Sequence, residues 1–155
     1  MRFTLIKDLS KHTQMRALLL GMLLFISLFL IVDVLIKDEL IGLNVAQVST
    51  TLYGDEEEFI EAINESVLLS MIHSDLFFMM MSLTLLSAIY TRLVGGSKLT
   101  NRLISTLFLG ALMSLAFLLF AFYFKSFFVQ LYLGAFYIWH GVALLFAFVS
   151  IKKLL

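Results

Sequence analysis

Apolar residues along this chain fall into four nearly uninterrupted blocks rather than into stripes. They run over approximately residues 17–36, 67–90, 103–122 and 127–150. Each is at least twenty residues long, enough to cross a ~30 Å hydrocarbon layer at 1.5 Å per residue. None alternates apolar and polar with period two over the ~10 residues that a barrel strand needs. The pattern predicts an all-α integral membrane protein, an up-down four-helix bundle in a single membrane domain over residues 1–155. A polar loop, residues 37–65, separates the first two spans. Within it Leu40–Leu52 shows no strong periodicity, and Gly54-Asp55 reads as a turn and helix start. That start would set Glu56–Glu58 at the positive end of the helix dipole, with Phe59, Ala62, Ile63 and Ser66 following at helical spacing.

Small and polar residues mark the faces expected to turn inward, because apolar burial does not drive helices together in lipid. On the second span, positions 66, 70, 73, 77, 80, 84, 87 and 91 alternate steps of four and three and read Ser, Ser, His, Phe, Met, Thr, Ser, Thr. This resembles a coiled-coil seam and predicts that His73 faces the bundle. The third span offers Thr106, Gly110, Ser114, Phe117 and Ala121, with Asn101 as its candidate cap. The fourth offers Gln130, Gly134, Tyr137 and Gly141, with His140 on the same side. Spans two and four would then lie diagonally across the bundle.

Composition agrees with a membrane protein: 61% hydrophobic, 14% charged, with a mean hydropathy of +1.02. The absence of Cys excludes disulfides, cysteine zinc sites and thiol nucleophiles. The absence of Pro makes broken helices of the transporter kind less expected. Charge sets the threading. Arg2, Lys7, Lys11, Arg16, Arg92, Lys98, Arg102, Lys152 and Lys153 all fall on one side, leaving Lys37 and Lys125 on the other. The positive-inside rule therefore puts both termini in the cytoplasm. Residues 37–65 carry one Lys against eight acids, which makes an acidic extracytoplasmic loop. A basic arm followed by twenty apolar residues without a small-residue cleavage site reads as an uncleaved anchor, and the expected location is a bacterial inner membrane.

Ionisable residues within spans each need an account, since Asp at a helix centre costs roughly 2.5–3.5 kcal/mol on insertion scales. An i,i+4 pair with Lys37 accounts for Asp33. His73 and Asp75 lie about 10 Å and 13 Å from the outer end of their span, some 200° apart around the helix. Asp75 must therefore find its partner on another helix, a second protein or water. His73 and His140 are each explained by an interhelical hydrogen bond, or else by proton or metal chemistry. His73 could hold copper or zinc near the outer face together with Met71 and the loop acids. A bis-His haem b is disfavoured because the two histidines are offset by ~10 Å. His140 and Met80 are level, each twelve residues from its basic flank, and form the candidate haem pair. His73, Asp75, Tyr137 and His140 are the candidates for a proton relay. No HExxH, GxSxG or dinucleotide fingerprint is present, and an enzyme has no positive support.

Continuous helices, surplus polar faces and an acidic loop suited to docking imply a small non-enzymatic membrane protein. The expectation is an accessory or assembly subunit of a larger bacterial inner-membrane complex, in contact with lipid and with other membrane subunits or further copies of itself. No nucleic-acid partner is expected. A redox or metal module and a proton or ion pathway are the alternatives.

Overall fold

The computed structural model describes residues 13–155 apart from residues 58 and 125. The basic residues Arg2, Lys7, Lys11 and Lys125, and the acidic Glu58, lie outside the described residues. Five helices follow one another: α1 (Thr13–Leu40), α2 (Val45–Tyr53), α3 (Glu65–Val94), α4 (Lys98–Tyr123) and α5 (Phe127–Leu154). Four of them are long and apolar enough to span a membrane. They correspond to the four expected spans, each extended by polar or aromatic turns at its ends.

Local chemistry explains the ends. Asn44, Asn64 and Ser97 take extended backbone angles and accept from the amides of Gln47, Ser66 and Thr100, closing the N-termini of α2, α3 and α4. Ser97, not Asn101, therefore caps α4. The loop before α3 also departs from expectation. Residues 45–53 form a nine-residue helix, and Gly54 ends that helix instead of starting the next. Its φ of +79° suits glycine, and a Cβ there would lie 2.8 Å from the Ile60 carbonyl oxygen. Asp55 and Ile60 then pair as an isolated bridge, so Glu56 and Glu57 sit in a turn rather than in a helix start.

The four long helices form an up-down bundle in the ring order α1, α3, α4, α5. α5 touches every other helix, most extensively α4, and the α3–α5 diagonal is closed by direct packing. No gap for a cofactor separates spans two and four. Arg16 donates to the Leu155 carbonyl oxygen at 3.2 Å, which brings the beginning of α1 and the end of α5 together at one end of the bundle. At the opposite end α2 packs against α5 and α4. Tyr53 Oη donates to the Ala121 carbonyl (2.7 Å) and Tyr137 Oη to the Leu43 carbonyl (2.6 Å), holding this layer down.

Two faces are largely the reverse of those expected, although Ser87 of the α3 seam and His140 of the α5 face are buried as expected. On α3 the buried row is Leu68, Ile72, Met79, Leu83, Leu86 and Tyr90, joined by half-buried Asp75. The seam of Ser66, Ser70, His73, Phe77, Met80 and Thr84 is exposed on the other side. On α5 the buried row runs through Tyr132, Phe136, Trp139, His140, Ala143 and Phe146, whereas Gln130, Gly134, Tyr137 and Gly141 are exposed. The physical reason is the same in both cases. Shape-matched apolar side chains fill the narrow interior, and the ionisable groups that turn inward are paired with one another. The small-residue face of α4 does turn inward. A Cβ on Gly110 would lie 3.2 Å from Trp139 Cβ, so the glycine lets α4 and the indole-bearing turn of α5 approach closely.

Candidate functional site

Among the buried groups of the bundle, three helices bring four ionisable side chains together. α1 places Asp33 and Lys37 one turn apart on a single face. Lys37 Nζ donates to Asp75 Oδ2 of α3, and Asp33 Oδ2 lies 3.1 Å from His140 Nε2 of α5. The i,i+4 neighbours on α1 thus each pair across the bundle. Lys37 is 5% exposed and His140 4%, so the partners of both aspartates are inside the protein. His140 Nδ1 makes a second contact, 3.1 Å from the Phe136 carbonyl oxygen one turn earlier. The rings of Trp139 and Phe136 lie against the imidazole, at centroid distances of 3.6 and 4.1 Å.

A cavity of about 10 Å³, room for one water, adjoins this cluster. Asp33, Lys37 and Asp75 line it together with Ser114, Tyr132 and Trp139. The Tyr132 hydroxyl and the Trp139 indole N–H are buried without a hydrogen-bond partner among the described residues. By length along the helices, Lys37 lies ~5 Å and Asp33 ~10 Å from the α2 end of α1. Asp75 lies ~15 Å and His140 ~20 Å from the ends of α3 and α5 at the same side. The cluster therefore descends from the α2 end towards mid-bundle. Removing an ion pair from water is costly, and it is compensated only by close mutual pairing of the kind that Lys37 and Asp75 make.

Of the residues singled out in the sequence, Asp75 and His140 belong to this cluster, joined through α1. His73 does not: it is exposed on the outer face of α3. Tyr137 is turned to the α1–α2 loop, where its hydroxyl is already engaged. Met80 is 57% exposed and lines an apolar crevice between α3 and α4 with Leu76, Phe108 and Leu112, while both His140 nitrogens face protein oxygens. The geometry therefore does not bring the proposed haem pair together. No group of three or more His, Cys, Asp or Glu among the described residues is placed to hold a metal ion. Sequence reasoning left Asp33 and Lys37 as a pair within α1, and so missed them, like Tyr132, as members of the cluster. A signal for the first two was present: two carboxylates lay inside apolar spans, and Lys37 was one of only two basic residues at that end.

Fold and site together define a small all-α, multi-pass integral membrane protein with a buried charge cluster. The chain belongs to the Aq_1264_TM family, a transmembrane helical domain whose family model matches residues 42–155. That segment takes in α2 to α5. α1, which supplies Asp33 and Lys37, precedes it. No curated protein and no solved structure matches the chain.

Proposed function

We propose that this chain is a non-enzymatic accessory subunit of a bacterial inner-membrane assembly, docking through the outer face of α3. The single observation behind this reading is the exposed seam of Ser70, His73, Phe77, Met80 and Thr84. An imidazole and hydroxyls turned towards hydrocarbon leave hydrogen-bonding capacity unused, and a partner membrane helix with polar side chains satisfies it. The four-and-three spacing suits a helix crossing at a shallow angle. The termini are cytoplasmic in this reading, from the excess of Lys and Arg at their end of the bundle. The acidic turn around Glu56 and Glu57 then faces outside.

The test is the particle size of the protein extracted from its own membrane in native-lipid discs. The wild type is expected in a complex larger than one chain. A variant with Ser70→Leu, His73→Leu and Thr84→Leu is expected as a folded monomer. A monomeric wild type that retains its cellular function overturns the proposal.

A proton or ion pathway is the second reading, favoured by the charge cluster descending from the α2 end. It predicts that Asp75→Asn abolishes flux in proteoliposomes, and unchanged flux removes it. The redox reading gains no support from a histidine whose two nitrogens are both engaged.

A further inference from the structure

The two polar contacts of His140, to Phe136 and to Asp33, close together as hydrogen bonds only if one proton is added to a neutral ring and an ionised carboxylate. The Phe136 carbonyl oxygen only accepts, so the 3.1 Å contact with His140 Nδ1 is a hydrogen bond in the tautomer that carries its hydrogen on Nδ1. In a neutral imidazole the other nitrogen, Nε2, is then a lone-pair acceptor. It faces Asp33 Oδ2 at 3.1 Å, and an ionised carboxylate is acceptor-only as well. Moving the hydrogen to Nε2 satisfies Asp33 but leaves Nδ1 facing the Phe136 oxygen, so a neutral ring beside an ionised Asp33 always sets two buried acceptors against each other.

The geometry points to a proton-binding site at Asp33 and His140, loaded with one proton held between Oδ2 and Nε2. It is written either as imidazolium with carboxylate or as imidazole with carboxylic acid, and the proton count is the same. The surroundings favour loading. From α1 the pair is faced by Lys37, from α3 by Asp75, and from α5 itself by Tyr132, while α4 contributes only the uncharged Ser114. Two carboxylates and one ammonium leave the cluster at −1, and the bound proton brings it to zero, the state a low-dielectric interior prefers. The flanking rings of Trp139 and Phe136 add a π environment that attracts a cation.

The small cavity supplies the exchange route. Tyr132 and Trp139 are each 1% exposed, and their unpartnered Oη and Nε1 line the same space as Asp33 and Asp75. A water in that space would accept from Trp139 Nε1–H and Tyr132 Oη–H and donate to Asp33. Asp33 and Asp75 each keep an open edge, with 13% and 14% of their side-chain surface exposed. On unloading, the proton passes from the pair to a water taken up in this space. It leaves Asp33 as carboxylate and His140 as the Nδ1–H imidazole, with no other bond changed. The Nε2–Oδ2 tie between α1 and α5 is lost at that step.

This inference is independent of docking, since it concerns the inner face of α5 and not the outer face of α3. The test uses the full chain in lipid bicelles, with His12→Gln and His73→Gln leaving His140 as the only imidazole. Nitrogen NMR of the labelled histidine at neutral pH reads the ring. Infrared spectroscopy and the carboxyl-carbon shifts of labelled Asp read the acid. The expected result is two protonated ring nitrogens, or one together with a protonated Asp carboxyl that disappears in Asp33→Asn. A single protonated nitrogen with every Asp ionised overturns the proposal. Both readouts on the His12→Gln, His73→Gln protein decide this even if the further Asp33→Asn variant does not fold.

Discussion

Replacing Lys37 by Met tests how the bundle tolerates Asp75. The ammonium and the carboxylate retain only 6% and 14% of their side-chain surface, so this pair belongs with buried ion pairs and not with surface ones. Removing one member of such a pair typically costs 3–5 kcal/mol, because the other charge stays buried and unpaired. Asp75 keeps an open edge, which places the expected loss for Lys37→Met near the lower bound, about 3 kcal/mol. That is roughly a hundredfold in the folding equilibrium. Replacing both members, Lys37→Met with Asp75→Leu, leaves no stranded charge and is expected to lie within about 1 kcal/mol of the wild type. The double-mutant cycle therefore shows a coupling of at least about 2 kcal/mol. Steric trapping or SDS titration in bicelles, followed by far-UV circular dichroism, measures all four corners. Losses under about 1 kcal/mol for each single variant, adding up in the double, would refute the reasoning and make the pair equivalent to an exposed one.

Further expectations concern packing, the α2 layer and threading. Gly110→Ala requires a shift of a few tenths of an ångström against Trp139 and is tolerated. Gly110→Leu drives α4 from α5 and lowers stability by about 1–3 kcal/mol in the same unfolding assay. Tyr53→Phe removes the hydrogen bond to Ala121 and loosens α2 by about 1 kcal/mol, read as faster amide exchange in residues 45–53. Burial pushes the Tyr53 phenol above its ordinary value near 10. Its contribution is therefore complete below the unfolded value and is lost as pH rises through the higher folded one, a dependence that Tyr53→Phe abolishes. Because the chain has no Cys, single cysteines report threading directly. A Cys at Glu57 is expected to react with an impermeant maleimide in intact cells, and a Cys at Ser97 only after lysis.

The fold was largely legible in the sequence because crossing a bilayer requires long apolar segments, and four of them are unmistakable. The inward faces were not. The rule that polar residues turn inward selected the Ser70–His73–Thr84 seam of α3, yet the interior took Leu68, Ile72, Met79 and Leu83 with one carboxylate. Asp75 was recognised as requiring a partner on another element, but its partner was not identifiable. Lys37 had a nearer anion at i−4, and only three-dimensional packing shows that Asp33 is engaged by His140 from 107 residues away. Helix α2 was hidden for a different reason. Nine residues with a short apolar stripe carry little periodicity, and its stability comes from Asn44, Gly54 and docking onto α4 and α5.

A photo-crosslinking scan along α3 in native membranes tests the central claim most directly, that its polar seam is the face offered to a partner. The account predicts discrete higher-mass adducts from crosslinkers at positions 70, 73, 77, 80 and 84, rising and falling with the helical repeat. Positions 72, 79 and 83 should give none. Adducts confined to that second set, or spread evenly around the helix, would contradict it.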